Sequence, residues 1–208
     1  MELLLGCGST RDRRIVVNSK RGWDQLVTLD SNPDHKPDVV HDLEQTPWPF
    51  EDDTFDEIHG YEIWEHLGRQ GDARSFFAGF AEAWRILKPG GFLAATCPSY
   101  KSMWAFGDPS HTRVISSGSL VFLDQNQYLV QVDDARHRTA MSDFRWLWKG
   151  DFACVYADME GEERGTGFTF VLQAVKPSRL VEPLCEEAQG ALEELILGPK
   201  AARSDEKI

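Results

Sequence analysis

Two glycines, Gly6 and Gly8, flank Cys7 directly after the apolar run Leu3–Leu5. Such a turn exposes bare backbone, so that a ligand can lie where a β-carbon would otherwise collide with it. A dinucleotide would need a third glycine and a helix start for its pyrophosphate, but Thr10 stands there and a charged, β-branched segment follows. The turn therefore predicts a site for a ligand without a pyrophosphate, and tight backbone packing is the alternative.

Carboxylates follow the next two apolar segments. Asp30 comes directly after Val27–Leu29, and its two oxygens match the vicinal hydroxyls of a ribose, with Ser31 beside it. Asp42 ends the following segment, where its carboxylate can accept from an adenine amino group while the Leu43 amide donates to the ring. These positions predict a nucleoside site, and the alternative for each carboxylate is a cap or turn aspartate.

Polar and aromatic side chains after two later strands predict the place of a second reactant. His111 is the best candidate for a general base because it lies in the loop GDPSHTR after the fifth strand; a histidine that caps this loop is the alternative. Gly60 and Tyr61 are predicted to contact the first ligand, and Tyr61 and Glu62 to join His111 in catalysis. The predicted residues of the second site are Trp104, Asp108, His111, Arg113 and His66.

All these residues fall in or near the ends of predicted elements. Strands are predicted at Leu3–Leu5, Val27–Asp30, Asp38–Val40, Phe55–Gly60, Phe92–Pro98, Phe152–Ala157 and Phe168–Val175, the last two as an antiparallel pair. Helices are predicted over Ala73–Leu87, which KPGG ends, and over Leu180–Leu197. This alternation indicates an α/β fold with a mostly parallel sheet, which binds ligands beyond the carboxyl ends of its strands.

Composition narrows the function further. The 208 residues carry a net charge of −12, which disfavours binding to nucleic acid. A local basic cluster either is solvated or contacts an anion; its members are Arg11, Arg13, Arg14, Lys20 and Arg21. No apolar run is long enough to span a bilayer, and no signal sequence is predicted. The four cysteines lack paired spacing, so neither a disulfide framework nor a metal site is predicted, and a cytoplasmic protein is expected. The oligomeric state is not predicted.

The motifs taken in order resemble the class I S-adenosylmethionine-dependent methyltransferases of the small single-domain type. LLLGCGST resembles the first motif of that family, TLDSNP its ribose acid, and VVHDLEQTPWPFEDDTFDEI its adenine loop and fourth strand. YEIWEHL and RILKPGGFLAATCPS are similar to the segments after strand four and into strand five. The resemblance covers about residues 2–99, and GDPSHTR with WLWKGDF is similar to compact versions carried by phages and prophages.

The resemblance implies a Rossmann-like sheet with a C-terminal antiparallel strand pair and a shortened first helix. We expect one domain over residues 1–176 with an insertion at about 99–150, followed by an amphipathic helix and tail over 177–208. The family has an acid where Leu4 stands and a third glycine where Thr10 stands. The implied cofactor is S-adenosylmethionine, contacted by Gly6, Cys7, Gly8, Asp30, Ser31, Asp42, Leu43, Gly60 and Tyr61.

The implied activity is methyl transfer to an acceptor that the sequence does not identify, whether a small molecule or a macromolecule. Strand four ends in HGYE, without the Pro-Pro-aromatic clamp of amino-methylating nucleic-acid enzymes, and Cys97 is better explained as a buried residue than as a nucleophile. A catalytically silent binding or scaffold module is the alternative function. A nicotinamide-dependent reductase is disfavoured by the missing third glycine.

Overall fold

The computed structural model describes residues 1–133 and 141–180. Its strands are β1 (Glu2–Leu5), β2 (Leu26–Asp30), β3 (Val39–Val40), β4 (Phe55–Tyr61), β5 (Leu87–Cys97), β6 (Phe152–Ala157) and β7 (Phe168–Ala174). They form one sheet in the order β3-β2-β1-β4-β5-β7-β6. The pairs from β3 to β5 are parallel, and β7 is antiparallel to both β5 and β6. The expected α/β fold with a C-terminal antiparallel pair is confirmed.

Strand β1 aligns the strands on either side of it. Leu5 pairs with Leu29 on β2 and with Gly60 on β4. Because all three strands run in the same direction, their carboxyl ends meet at one edge of the sheet. The glycine turn after Leu5, the carboxylate of Asp30 and the segment that begins at Glu62 therefore share this edge.

Helix α1 (Ala73–Ile86) covers one face of the sheet. The Asp72 carboxylate caps its start by accepting from the amides of Arg74 and Ser75 at 3.0 and 3.2 Å. Its buried apolar side chains are Phe76, Phe77, Phe80, Ala83 and Ile86. These side chains belong to the largest buried apolar cluster of the described residues. Burial of each phenylalanine stabilises the fold by about 1.5–3 kcal/mol.

The other helical elements of the described ranges are short. They are α2 (Trp104–Gly107), α3 (Ser117–Leu120), α4 (Gln125–Tyr128) and α5 (Met159–Arg164), with 3-10 turns at Pro33–His35, Trp64–His66 and Val121–Leu123 and a π-helical segment at Leu129–Asp133. None of the helices in these ranges has the length and apolar character needed to cross a membrane.

The predicted elements agree with the structure except at two connections. KPGG does not separate α1 from β5, because the pairs Phe55–Leu87 and Glu57–Phe92 are in register and residues 88–91 bulge out between them. Helix α5 lies in the link between β6 and β7, where only a short glycine-rich connection is expected. The predicted helix Leu180–Leu197 lies outside the described residues beyond Leu180, and the domain boundaries stay a prediction.

The opposite face of β1 and β4 is polar, and a chain segment covers it in place of a helix. Residues 6–25 run from β1 to β2 without forming a helix. The family has its first helix in this connection, and the sequence predicts that this helix is shortened or lost. Glu2, Glu57, His59 and Tyr61 are all buried. Alternation along β4 brings Glu57, His59 and Tyr61 to the same side of the strand.

The buried polar groups on this face satisfy one another. His59 Nε2 donates to Glu57 Oε2 at 3.0 Å, and the Arg13 guanidinium binds the same carboxylate. The Tyr61 hydroxyl lies 2.7 Å from His59 Nδ1 and accepts from the Arg14 amide at 3.1 Å. Burial alone would raise the pKa of Glu57, but the hydrogen bond from His59 and the charge of Arg13 lower it. Burial lowers the pKa of His59, so the ring is neutral and Nδ1 can accept from Tyr61.

We expect Glu57→Gln to lower the free energy of unfolding by about 3–5 kcal/mol at neutral pH, because it removes the main ion-pair partner of buried Arg13 and leaves only the longer contact to Glu2 at 4.0 Å. Asp56→Asn is the matched control: exposed Asp56 pairs with the N-terminal amine and Lys88, and its loss should cost less than about 1 kcal/mol. Urea unfolding followed by circular dichroism measures both. Equal stability of the two variants would contradict the assignment.

The ion pair of Glu57 with Arg13 predicts that the free energy of unfolding depends on pH. The folded pKa of Glu57 is depressed, so its contribution is present above the unfolded pKa of about 4.3 and is lost as the pH falls through the folded value. The difference in stability between the wild type and Glu57→Gln should therefore shrink below about pH 4. A difference that stays constant between pH 7 and pH 3 would show that Glu57 is not the titrating group.

Candidate active site

Asp30 and Gly8 meet directly at the carboxyl edge of the sheet. The Gly8 amide donates to Asp30 Oδ2 at 2.8 Å, and the Asn32 amide donates to Oδ1 at 2.8 Å. Burial raises the pKa of Asp30, but the amides of Asn32 and Gly8 and the neighbouring His35 outweigh it and lower the pKa. A buried carboxylate that stays ionised at a strand end, with unused lone pairs, is suited to accept hydrogen bonds from a ligand.

Arg11 fastens the loop after β1 to the loop after β2. Its guanidinium donates to the carbonyl oxygens of Gly8 and His35 at 2.9 and 3.0 Å. Two other members of the basic cluster bind carboxylates of the sheet: Arg13 binds Glu57, and Lys20 binds Glu2 at 2.5 Å. These three side chains hold residues 6–25 on the sheet, which explains much of the basic cluster without a bound anion.

The three glycines predicted to contact a ligand have different surroundings. A β-carbon on Gly6 would lie 2.4 Å from Ile63 Cδ1, and one on Gly60 would lie 2.9 Å from Ile63 Cγ2. Gly6 and Gly60 therefore make room for the Ile63 side chain. Gly8, at φ +54°, has no heavy atom of the described residues within 4 Å of a β-carbon built on it. Gly8 alone leaves open space in front of its backbone.

The adenine-side residues form a turn. Asp42 is exposed, and its carboxylate accepts from the Glu44 amide at 3.0 Å and from Gln45 Nε2 at 3.4 Å. The Leu43 side chain is buried in the main core. Ser31 is exposed next to Asp30. Asp42 has the contacts of a turn aspartate, which is the alternative that the sequence left open, and its remaining lone pairs face outward.

The structure turns Tyr61 and Cys7 away from the predicted site. Tyr61 is buried, and its hydroxyl is held by His59 and the Arg14 amide on the polar face of the sheet. Cys7 packs with Leu4 and Tyr61 in the same small cluster. Alternation along β4 points Tyr61 to the polar face and away from the side of Gly60, and contacts of Tyr61 with a cofactor and an acceptor stay a prediction.

A cavity of about 280 Å³ lies beyond the ends of β4 and β5, and we call it the His111 cavity. It is lined by Glu62, Cys97, Pro98, Ser99, Ser102, Trp104, Asp108, His111, Thr166 and Gly167. Four of the residues predicted for the acceptor side or for catalysis, namely Glu62, Trp104, Asp108 and His111, thus surround one space. Cys97 is buried, and burial raises the pKa of its thiol well above the usual value, which disfavours a thiolate nucleophile.

His111 lines this cavity, and the His66 ring packs against the His111 ring without lining the cavity itself. Their ring centroids are 4.8 Å apart. His111 Nδ1 lies 2.8 Å from the carbonyl oxygen of Trp104, and His66 Nδ1 lies 3.1 Å from that of Ser110. Because carbonyl oxygens only accept, each ring must carry a proton on Nδ1, and in the neutral tautomer this leaves a lone pair on Nε2.

Glu65, which the sequence analysis did not single out, lies against these histidines. It is 2% exposed, and its Oε1 is 4.0 Å from His111 Nε2. Burial raises the pKa of Glu65 to about 8, and the nearby Glu62 carboxylate adds to this rise. The only sequence signal for Glu65 is its position beside His66 in YEIWEHL, directly after a strand end.

Arg113 and Asp108 also make contacts within the fold. Arg113 is buried and donates to the carbonyl oxygens of Leu67 and Asp72 at 3.1 and 2.9 Å, so its guanidinium braces the start of α1 and does not line the His111 cavity. Asp108 Oδ1 accepts from the Ser110 amide at 2.8 Å, which shapes the loop that holds His111.

A larger cavity of about 650 Å³ lies on the face that lacks a helix. Apolar side chains line most of it, including Ile15, Val17, Phe92, Val155 and Val171, and Arg14 lies at its edge. None of the predicted site residues borders this cavity. It is separate from the carboxyl edge where Gly8, Asp30 and His111 lie.

Comparison with known proteins connects this edge to a family. Residues 3–95, slightly less than half of the chain, match the sequence profile of the methyltransferase domain. Comparison with curated proteins gives no significant match.

Solved structures share the fold. One is a complex of the Trm112 methyltransferase activator of Haloferax volcanii with a methyltransferase, at 16% identity and a TM-score of 0.51 over 84% of this chain and 82% of that one. Another is phosphoethanolamine N-methyltransferase 1 of Haemonchus contortus with phosphoethanolamine and S-adenosylhomocysteine, at 10% identity and a TM-score of 0.53 over 94% of this chain and 43% of that one. Residues 3–95 thus resemble a methyltransferase domain, and the chain shares the fold of solved methyltransferases.

Proposed function

We propose that the protein transfers the methyl group of S-adenosylmethionine to an acceptor held in the His111 cavity. The observation that carries this proposal is the contact between Gly8 and Asp30 at the same sheet edge as that cavity. When bound, S-adenosylmethionine supplies a methyl group activated by a sulfonium leaving group. The task of the protein is to align an acceptor with that methyl group and to exclude water.

The residues at this edge fit the nucleoside part of such a cofactor. The Asp30 carboxylate keeps lone pairs for a ribose diol after accepting from Gly8 and Asn32. The open space in front of Gly8 is the place where a ligand can approach the backbone, and a side chain there would fill it. Asp42 and the Leu43 amide are the proposed adenine contacts, with Ser31 beside the ribose.

The His111 cavity holds groups that can handle the proton of an acceptor. His111 lines the cavity, and the Trp104 carbonyl fixes the ring by accepting from Nδ1, so that Nε2 is the nitrogen that can take a proton. Glu62 and Asp108 add carboxylates to its wall, and Trp104 adds an aromatic surface that is 62% exposed. The acceptor is therefore proposed to be a group that loses a proton on methylation, and its identity as a small molecule or a macromolecule is left to experiment.

The second candidate function is a silent binding or scaffold module. One observation favours it: the Ile63 side chain fills the space between Gly6 and Gly60, next to the turn where a cofactor would lie. Calorimetry with S-adenosylmethionine separates the two functions, since a module that has lost the cofactor site shows no binding at millimolar ligand. Mass spectrometry of co-purified ligands, followed by a screen of cell extracts with labelled cofactor, would find the acceptor.

Asp30→Ala should weaken S-adenosylmethionine binding roughly tenfold or more, because it removes charge-assisted hydrogen bonds worth about 1.5–3 kcal/mol. The control Asp34→Ala removes the same charge from an exposed position on the same loop and should leave affinity nearly unchanged. Calorimetry measures affinity, and circular dichroism verifies that both variants fold. Unchanged affinity in Asp30→Ala would reject its assignment as the ribose acid.

Comparison of Gly8→Ala with Gly6→Ala should separate an effect on cofactor binding from an effect on the stability of the fold. Both positions have φ near +55°, so alanine costs about 1–2 kcal/mol at either one. Gly6→Ala also collides with Ile63 and should lower Tm further, with partial recovery in the double variant with Ile63→Ala. Gly8→Ala should mainly weaken cofactor binding. Full affinity in Gly8→Ala would mean that the cofactor does not approach this backbone.

His111→Asn should reduce methyl transfer by about 10²–10⁴ without changing cofactor affinity. An asparagine amide can still donate to the Trp104 carbonyl but has no group equivalent to the Nε2 lone pair. The rate is measured as label transferred to the acceptor fraction of an extract. If His111→Asn is fully active, His111 only caps the loop; if cofactor binding is lost as well, the loop belongs to the cofactor site.

A further inference from the structure

The Glu65 side chain is an unusual group at the inner side of the His111 cavity. It is almost fully buried, and neither carboxylate oxygen has a hydrogen-bond partner among the described residues. A buried carboxylate without a partner is costly, and native proteins seldom keep one unless it interacts with a positive charge or a metal. The surroundings of Glu65 should therefore include the group that it binds.

Two histidines present lone pairs to the same place. His66 and His111 each donate Nδ1–H to a backbone carbonyl, from Ser110 and Trp104 respectively. Metal-binding histidines are usually held in this way, because a hydrogen bond at one ring nitrogen fixes the tautomer and directs the other nitrogen at the ion. The hydrogen bond at Nδ1 leaves Nε2 of each histidine as the nitrogen that can coordinate an ion.

The three side chains are close enough to share one ion. A carboxylate oxygen of Glu65 and one ring nitrogen from each histidine lie within 4.8 Å of one another. Ligand bonds of about 2.0–2.2 Å in a tetrahedral site place donor atoms roughly 3.4 Å apart. Small side-chain rotations cover this difference, since His66 and His111 lie on a short turn and a loop.

We propose that Glu65, His66 and His111 bind a single divalent transition-metal ion, with zinc as the best fit. Two imidazoles and one carboxylate are a typical ligand set for a catalytic zinc ion and for iron(II), whereas calcium and magnesium prefer oxygen ligands alone. The sequence analysis predicts no metal site because it seeks paired spacing, and these ligands come from two distant segments that only the fold brings together.

The position of the ion deepens the proposed function, on which this step depends. With the ion bound, His111 Nε2 is a ligand, and the ion takes over from a free imidazole the task of easing loss of the acceptor proton. Three protein ligands leave at least one coordination position open. The His111 cavity lies next to the ligands, so an acceptor held there can fill the open position with an oxygen atom. Because a divalent ion lowers the pKa of a coordinated hydroxyl or thiol, the geometry favours an oxygen or sulfur acceptor over a carbon acceptor.

The experiment uses the full-length protein, stripped with a chelator and titrated with Zn²⁺ by calorimetry. Cys154 is exposed and can bind zinc adventitiously, so all variants carry Cys154→Ser. We expect one Zn²⁺ per chain, affinity at least about 100-fold weaker in Glu65→Gln and in His66→Gln, and much weaker binding of Mg²⁺. His41→Gln, which changes a histidine near another part of the sheet edge, is the control and should bind Zn²⁺ like the parent.

Thermal unfolding tests whether the variants lose binding or folding. Zn²⁺ should raise the Tm of the parent but not that of Glu65→Gln, because only the intact site binds the ion in the folded state. Without metal, Glu65→Gln should be about as stable as the parent, since it replaces a buried carboxyl group that has no hydrogen-bond partner by an amide of the same size. Co²⁺ in place of zinc should give visible absorption bands that the two ligand variants lack.

The outcomes distinguish failure of the ion site from failure of the proposed function. No saturable Zn²⁺ binding, or binding that both ligand variants retain, would overturn the ion site and leave Glu65 and His111 as a metal-free proton pair. Zn²⁺ binding without any S-adenosylmethionine binding would leave the ion site standing and overturn the proposed function. A chelator that abolishes methyl transfer, with activity restored by Zn²⁺, would support both.

Discussion

The in-register parallel pairing of β1 with β2 and β4 is the constraint on which the rest of the molecule depends. It brings Leu5, Leu29 and Gly60 level, so that three chain segments leave the sheet at one edge. The contact between Gly8 and Asp30 follows from this alignment, because the turn after β1 and the last residue of β2 emerge side by side. A slip of one residue in β1 would turn its side chains to the other face and separate these groups.

The alternation of side chains along β4 divides the chemistry between two faces. Glu57, His59 and Tyr61 point to the face covered by residues 6–25 and form a closed hydrogen-bonding network there. Gly60 points the other way and admits Ile63, which starts the turn that carries Glu65 and His66. Glu57, His59 and Tyr61 on the first face all have hydrogen-bond partners, whereas the Glu65 carboxylate has none among the described residues. This difference separates a structural network from a site that is ready for a ligand.

Strand ends were predictable from the sequence, but side-chain surroundings were not. Apolar runs that end at glycine or aspartate located β1 and β2, and with them Gly8 and Asp30. The direction of Tyr61 could have been derived from its position next to Gly60 in a strand. The surroundings of Arg113 could not have been derived from the sequence, because its partners lie on the segment before α1, far away along the chain. Glu65 escaped notice for the same reason: its burial and its histidine neighbours depend on packing between distant loops.

The covering of the polar face by residues 6–25 has a thermodynamic consequence for the cofactor edge. Ion pairs and hydrogen bonds hold this segment together with a few apolar side chains, whereas α1 buries three phenylalanines, so lifting the segment off the sheet exposes less apolar area than lifting α1 would. Denaturant dependence and heat-capacity change both scale with exposed area. We therefore expect this segment to open locally at a low free energy, and we expect that free energy to depend weakly on urea and strongly on salt. Hydrogen exchange of its amides reports this opening. Because Gly8 and Arg11 belong to this segment, a ligand at that edge would hold it closed and slow amide exchange across the entire segment.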